Sequence, residues 1–275
     1  MKVFIVGLGL IGASYAERLK KLNHTVDGFD KNEEVLALAK RDQCIESGNL
    51  EAMKQADIVI IALYPKATMR FIKDHLHLFQ KGQIITDVSG VKHTIVPIIE
   101  TWMPNNIHYV SHHPMAGKET SGYNAKNAEL FQGANAILIE TAQTNFHAKH
   151  TLKTLLKDIG FTSIITATPE EHDEKIAFIS QLPHALAMAL MAMNTDEAIL
   201  SFSGNSFRDL TRIASINKTL WTELFLENKT TLTHILERTI KELTTIKELI
   251  SNDHQPALEN YMQNVKEKRD NLGNR

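Results

Sequence analysis

Cysteine occurs once in the 275 residues, at Cys44. A lone thiol excludes an internal disulfide framework and any Cys-rich metal site, and it fits a reducing compartment. No metal is expected. An excess of either charge is lacking too: 30 Lys and Arg stand against 32 Asp and Glu, a formal net charge of −2 spread along the chain. Without a basic patch, nucleic acid and membrane surfaces are poor partners, and a small molecule is the better one. Long apolar runs are also missing. With no stretch of about 18 uninterrupted apolar residues, no segment is expected to span a bilayer. The start MKVFIVGLGLIG is apolar enough for a signal peptide, but Gly7, Gly9 and Gly12 interrupt it and an amphipathic segment follows in place of a cleavage site. The expected location is the cytoplasm. What the chain does have is core-forming material, 43% hydrophobic residues, enough for one large or two medium domains.

The amino-terminal half alternates strand and helix patterns. Lys2 to Val6 is a β-branched apolar run that leads into Gly7-Leu8-Gly9-Leu10-Ile11-Gly12, which opens a helical stretch from Ala13 to Leu22. This is GxGxxG in its informative context: one glycine for the tight turn, one for close approach of a pyrophosphate, one for helix-to-strand packing. Amides at the helix start favour phosphate. A second strand, His24 to Phe29, ends at Asp30, 18 residues beyond Gly12, where an acid bonds the adenosine ribose hydroxyls and disfavours a 2′-phosphate. NAD is therefore expected over NADP, with Gly7, Gly9, Leu10, Ile11, Gly12, Asp30 and Leu63 as its contacts. Leu63 enters because it ends the apolar run Ala56 to Leu63, a strand buried on both faces whose carboxyl end faces the ligand crevice.

Helices are expected over Glu33–Arg41, Thr68–Phe79, Thr94–Thr101 and Ala148–Ile159, and further strands over Gln83–Asp87, His108–Val110, Ala134–Glu140 and Ser163–Thr166. After Asp87, Ser89 and Lys92 stand at another strand end, able to bond a substrate or the nicotinamide ribose; Ser89 serves equally well as a helix cap. The stretch Ser111 to Gly122, SHHPMAGKETSG, reads as a loop with chemistry in it. Pro114 pushes His113 towards an extended conformation, and a held imidazole can accept a proton at neutral pH. The same twelve residues also suit two histidines that only pack a loop.

From Pro169 onward apolar residues recur at three and four, and the strand signal is gone. Thr168-Pro169-Glu170-Glu171 starts a helix, His172 and Asp173 follow, and Pro183 in Ser180-Gln181-Leu182-Pro183-His184 should kink or restart it. Arg208 and Arg212 flank Asp209, and a guanidinium fork suits an anionic substrate; a surface salt bridge is the alternative. The apolar helices after Leu220 exceed what about 110 residues need for themselves, so a homodimer through them is expected. The domains expected are 1–166, a Rossmann-type doubly wound parallel sheet of α/β class, and 167–275, an all-helical domain for substrate and dimerisation.

Taken in order, GLGLIG at Gly7–Gly12, HPMAG and ExSG within His113–Gly122, EEHD at Glu170–Asp173, LPH at Leu182–His184 and RDLTRIA at Arg208–Ala214 make the chain resemble the prephenate dehydrogenase family of tyrosine biosynthesis. The resemblance covers nearly the whole chain. It implies a Rossmann domain joined to a helical dimerisation domain, and oxidative decarboxylation of prephenate to 4-hydroxyphenylpyruvate with hydride passed to NAD. It makes His113 the catalytic histidine on the ring hydroxyl, and His184 and Arg212 substrate-binding residues, with Arg212 on a carboxylate. His172, Asp209 and Trp221 match further positions at the site or domain interface. Three departures stand out. Gly90 replaces the serine that assists the histidine, leaving Ser89 as a candidate in its place; Gln181 replaces a histidine; and Lys118 stands where a neutral residue is common. Oxidation of arogenate is the alternative, followed by another NAD-dependent hydroxyacid dehydrogenase and a non-catalytic NAD-binding sensor.

Overall fold

The structure, a computed structural model, describes residues 1–273; the last two positions of the expected helical domain lie outside the described residues. Strands β1 (Lys2–Val6) and β2 (Thr25–Phe29) flank α1 (Leu10–Lys21), and α2 (Glu33–Arg41) follows. Next come β3 (Ile58–Ile61), α3 (Pro65–His75), β4 (Ile84–Asp87), α4 (Val96–Trp102) and β5 (His108–Tyr109). The chain continues with β6 (His112–Pro114), β7 (Asn135–Ile139), α5 (Phe146–Ile159) and β8 (Ser163–Ala167). Helices complete it: α6 (Pro169–Ile176), α7 (Leu182–Met193), α8 (Asn205–Arg212), α9 (Lys218–Glu227), α10 (Lys229–Ser251) and α11 (Gln255–Gly273).

Five strands form a parallel sheet in the order β2-β1-β3-β4-β5, with Val3 opposite both Val26 and Ile58. Alternation along β1 explains its two-sided burial. Val3 and Ile5 join a cluster with Tyr15, Leu19, Leu152 and Leu156, whereas Phe4 and Val6 join one with Phe71, Ile72 and Ile99. Each such side chain, fully buried, contributes roughly 1.5–3 kcal/mol.

The expected single sheet is corrected by a second one. β6, β7 and β8 form a separate three-stranded sheet, antiparallel between β6 and β7 and parallel between β7 and β8. His112, His113 and Pro114, expected in a loop, are its first strand, with His113 opposite Ile137. Pro114 is tolerated because the strand is only three residues long and lies at the sheet's edge. Two smaller corrections concern helix starts. α3 begins at Pro65, whose fixed φ suits a first turn, and α4 begins at Val96, so Ser89 is not its cap.

By compactness the chain divides into Met1–Lys229 and Thr230–Arg275. In the first unit the helical run from Pro169 contains a wide turn, Ala177–Gln181, before Pro183 sits in the first turn of α7, which is the expected restart. The run Pro169–Met193 has a mean hydropathy of 1.6 over its most apolar 18 residues, so by length and composition it could cross a membrane, contrary to expectation. Yet it buries His172, Asp173 and Gln181, all hydrogen-bonded within the first unit. The second unit consists of α10 and α11, in which Tyr261 donates to Glu242 across 2.9 Å.

The glycine turn allows a contrast. Gly7 has φ +86, and a Cβ there would stand 2.6 Å from the Ala62 carbonyl oxygen; a Cβ at Gly12 would overlap the Gly7 carbonyl oxygen, whereas one at Gly9 would meet nothing within 4 Å. Gly12→Ala should therefore lower the thermal unfolding midpoint by several degrees, at ~2–4 °C per kcal/mol for a chain of this size. Gly9→Ala should leave the midpoint within about a degree of the parent, since surface changes cost at most ~0.5 kcal/mol. Differential scanning calorimetry of the two variants checks both.

Candidate active site

Below the site lies a buried ion pair. Lys92 Nζ, with no solvent exposure, donates to Asp87 Oδ1 at 2.9 Å and to the His112 carbonyl at 2.8 Å. Asp87 also accepts from the Ser89 amide (2.8 Å), Tyr109 OH (2.6 Å) and Ser111 Oγ (2.5 Å). Burial alone would raise the Asp87 pKa, but the Lys92 ammonium and the hydroxyl donors hold it at about 2. Burial lowers that of Lys92, and Asp87 opposes the shift. Lys92 is thus committed to Asp87 and His112, which corrects the expectation that it could reach a substrate or ribose. His112, fully buried, bonds Tyr15 OH at 2.8 Å and Thr86 Oγ1 at 2.7 Å; burial and then Lys92 push its pKa down to about 3, against Asp87. Of the two adjacent histidines, this one packs.

His113 points the other way from the strand, as successive residues must. Its Nδ1 lies 2.9 Å from His172 Nε2, and His172 Nδ1 lies 2.6 Å from Asp173 Oδ1. Asp173 in turn accepts the amides of Lys92 and His93, at 2.8 and 2.9 Å. Asn228 donates to the Asp173 carbonyl and to Gln181 Oε1, and Gln181 donates to the Leu224 carbonyl. Burial first, then His172 and Lys92, hold the His113 pKa well below 6.5, so its imidazole is neutral at physiological pH. Sequence reasoning noted Asp173 only as part of a motif and gave it no role. The signal was there in its place directly after His172 in the first turns of a helix.

His184 stacks on Trp221 with ring centroids 3.7 Å apart, and its Nδ1 lies 2.8 Å from the Ser180 carbonyl. Arg212 pairs with Glu119, on the segment following β6, and the arginine side chain is 61% exposed. Glu119 was missed because nothing in the sequence links positions 93 residues apart. Arg208 donates to Ser203 Oγ and is not bridged to Asp209. Lys118 is exposed beside Glu119. The Ser89 hydroxyl is buried without a hydrogen-bond partner. His113, His172 and Gly90 are therefore brought together, His184 joins Trp221, and Arg212, at the end of α8, pairs with Glu119 in the segment that also carries Lys118.

The residues at the glycine turn fit a dinucleotide. α1 has no side-chain cap on its first amides, Gly9 leaves open space beside them, and Asp30 ends the neighbouring strand. Asp30 Oδ2 accepts the Leu8 amide and Oδ1 the Asn32 amide, so the carboxylate also fixes the turn while keeping lone pairs for a hydroxyl. Leu63 lies against Gly7.

Comparison with known proteins decides the family. Residues 15–165 match the prephenate dehydrogenase nucleotide-binding domain and residues 168–264 its dimerization domain. The chain belongs to the prephenate dehydrogenase family. Prephenate dehydrogenase of Bacillus subtilis is 31% identical over 98% of this chain and 76% of its own length. Cyclohexadienyl dehydrogenase of Zymomonas mobilis is 32% identical over 96% of this chain and 94% of its own. The crystal structure of Aquifex aeolicus prephenate dehydrogenase with hydroxyphenyl propionate and NAD+ superposes with a TM-score of 0.89 at 29% identity, covering 99% of this chain and 98% of that one. The glycine turn lies upstream of the residues matched to the prephenate dehydrogenase nucleotide-binding domain, so its assignment stands on its geometry.

The buried His112 generates a pH prediction. Its pKa is depressed in the folded state, from 6.5 to about 3, so its neutral form stabilises the fold above pH 6.5 and that contribution is lost as pH falls towards 3. His112→Gln should cost about 2 kcal/mol at pH 7. The gap to the parent should then narrow by about 1.4 kcal/mol per pH unit below 6.5, since glutamine does not titrate. Urea unfolding of both proteins between pH 7 and pH 5 measures it.

Proposed function

We propose that this chain catalyses the NAD-dependent oxidative decarboxylation of prephenate to 4-hydroxyphenylpyruvate. The observation that carries the reading is a neutral imidazole, His113, held on a strand by hydrogen bonds through His172 to Asp173. Such a base takes the proton of the C4 hydroxyl as the C4 hydride leaves, the ring carboxylate departs as carbon dioxide, and the proton returns to the phenolate oxygen. Bound NAD supplies the hydride acceptor, held by Gly7, Gly9, Leu10, Ile11, Gly12, Asp30 and Leu63. Ser89, with its unpartnered buried hydroxyl, assists His113. His184, stacked on Trp221, borders the substrate, His172, whose side chain is fully buried, stands behind His113, and Arg212 exchanges Glu119 for a substrate carboxylate. The base itself is worth about 10²- to 10⁴-fold and aromatisation drives the rest.

Lys118 favours prephenate over arogenate, because arogenate brings an ammonium group to a site whose rim already carries a cation. In this reading residues 1–166 bind the nucleotide, and 167–275 supply substrate contacts and a homodimer interface. Apolar side chains left open in the helical half support the dimer: Phe178 is 60% exposed, Phe202, between α7 and α8, is 85% exposed, and Ile240, Leu243 and Ile250 are exposed on α10. The reading places the enzyme in the cytoplasm.

Absorbance at 340 nm tests the activity, with NAD and prephenate, arogenate or simple hydroxyacids in parallel. Prephenate should give the fastest reduction, and turnover of hydroxyacids alone would overturn the assignment. His113→Asn should collapse kcat by about 10²-fold or more with little change in prephenate affinity.

The arginines give a second test. Arg212→Ala should raise KM about tenfold, or about 1.4 kcal/mol, less than the loss of a fully buried pair because the side chain is 61% exposed. Arg208→Ala should leave KM unchanged, and the reverse pattern in steady-state kinetics would mean the wrong arginine has been assigned.

A further inference from the structure

We propose that His172 and Asp173 are positioning residues that fix the tautomer of His113, keeping its proton on Nδ1 and its lone pair on Nε2, where the base is needed. The inference rests on His113 being the base, and it follows from hydrogen-bond roles. A carboxylate such as Asp173, already holding two backbone amides, only accepts, so the 2.6 Å bond requires a proton on His172 Nδ1. His172 is kept neutral by burial, against the pull of Asp173, so its Nε2 carries a lone pair. At 2.9 Å from that lone pair, His113 Nδ1 must donate. The proton of a neutral His113 is thereby assigned to Nδ1, and Nε2 is left bare.

The arrangement matters more in this chain because position 90 offers no side chain to orient the ring. A Cβ at Gly90 would stand 3.8 Å from His113 Cε1, beside the ring edge, but also 3.1 Å from Leu224 Cδ2. The leucine methyl fills the space a side chain at position 90 would need, so no group from that position reaches the ring. Orientation comes from the far side, through a dyad anchored on α6.

Two measurements decide the matter. In the parent enzyme, ¹⁵N-edited imidazole spectra at neutral pH should show His113 with a pyrrole-type Nδ1 and a pyridine-type Nε2. His113→Asn identifies its signals by their loss. The opposite tautomer would overturn the proposal without touching the identity of the base, which His113→Asn kinetics tests separately. Next, His172→Phe keeps a ring but removes the acceptor, and His172→Gln keeps an acceptor oxygen. The phenylalanine variant should lose about 10²-fold or more in kcat with KM little changed, and its acidic limb in kcat/KM should move to lower pH, because the acceptor that stabilises the protonated His113 ring is removed. Lys92, His112 and Asp87, the other charged or titratable groups that act on His113, are unaltered in it. The glutamine variant should recover most of the turnover. Equal kcat in the parent and the phenylalanine variant, or an equal loss in both variants with an unchanged tautomer, would overturn the dyad's role.

Discussion

An ammonium group with no access to water is costly, and Lys92 exists in this fold only because Asp87 and the His112 carbonyl receive it. Removing a cation and a carboxylate from water costs several kcal/mol per ion, more than their mutual attraction returns unless the remaining lone pairs are filled. Here they are filled by the Ser89 amide and the hydroxyls of Tyr109 and Ser111, so the pair joins two stretches of chain, Asp87 to Lys92 and Tyr109 to His112. Its geometric effect is to tie the end of β4 to the first residue of β6, across the gap between the two sheets. That gap is where the chain leaves the parallel sheet after β5 and enters the mixed one. His113 is the next residue along. Its position is therefore set by an electrostatic contact that never meets a ligand.

Two histidines in sequence show how one strand can serve opposite needs. His112 faces inward, where burial and the nearby Lys92 hold it neutral and Tyr15 and Thr86 satisfy both nitrogens. His113 faces outward, where its one internal partner leaves a nitrogen over. The alternation of a strand separates the two roles, and the pairing runs on through Pro114 to the Met115 amide, which donates to the Asn135 carbonyl. A helix would have placed the two side chains about 100° apart, and neither the buried nor the outward environment would be so distinct.

The parts legible in sequence were those where backbone chemistry demands a residue type. Gly7 and Gly12 are visible because a side chain there would collide with Ala62 or with Gly7 itself, and Asp30 because a strand end next to the glycine turn wants an acceptor. The helix at Pro169 announced itself through Thr168 and Glu171, which form the reciprocal cap the pattern implies. What stayed hidden depends on distance along the chain. A three-residue strand containing proline looks like a loop until its partner, some 24 residues later by the pairing of His113 with Ile137, is known. The pairing of His113 with His172 spans 59 residues and that of Arg212 with Glu119 spans 93, and no local pattern encodes either. Lys92 was visible as a residue and misread in purpose, since composition near a crevice does not tell a ligand-facing lysine from a buried one.

The wide turn at Ala177–Gln181 has a consequence for phase. In a helix of 3.6 residues per turn, positions nine apart such as His172 and Gln181 point to opposite sides, and a one-residue excess takes back about 100° of that rotation. Asn228 can then bond the Asp173 carbonyl and the Gln181 side chain with a single amide group. Hydropathy alone would read this run as a rod uniform enough for lipid, yet it works as two gears offset by a fraction of a turn. Removing one residue from the turn would leave its composition almost unaltered and swing His184 off the face of Trp221.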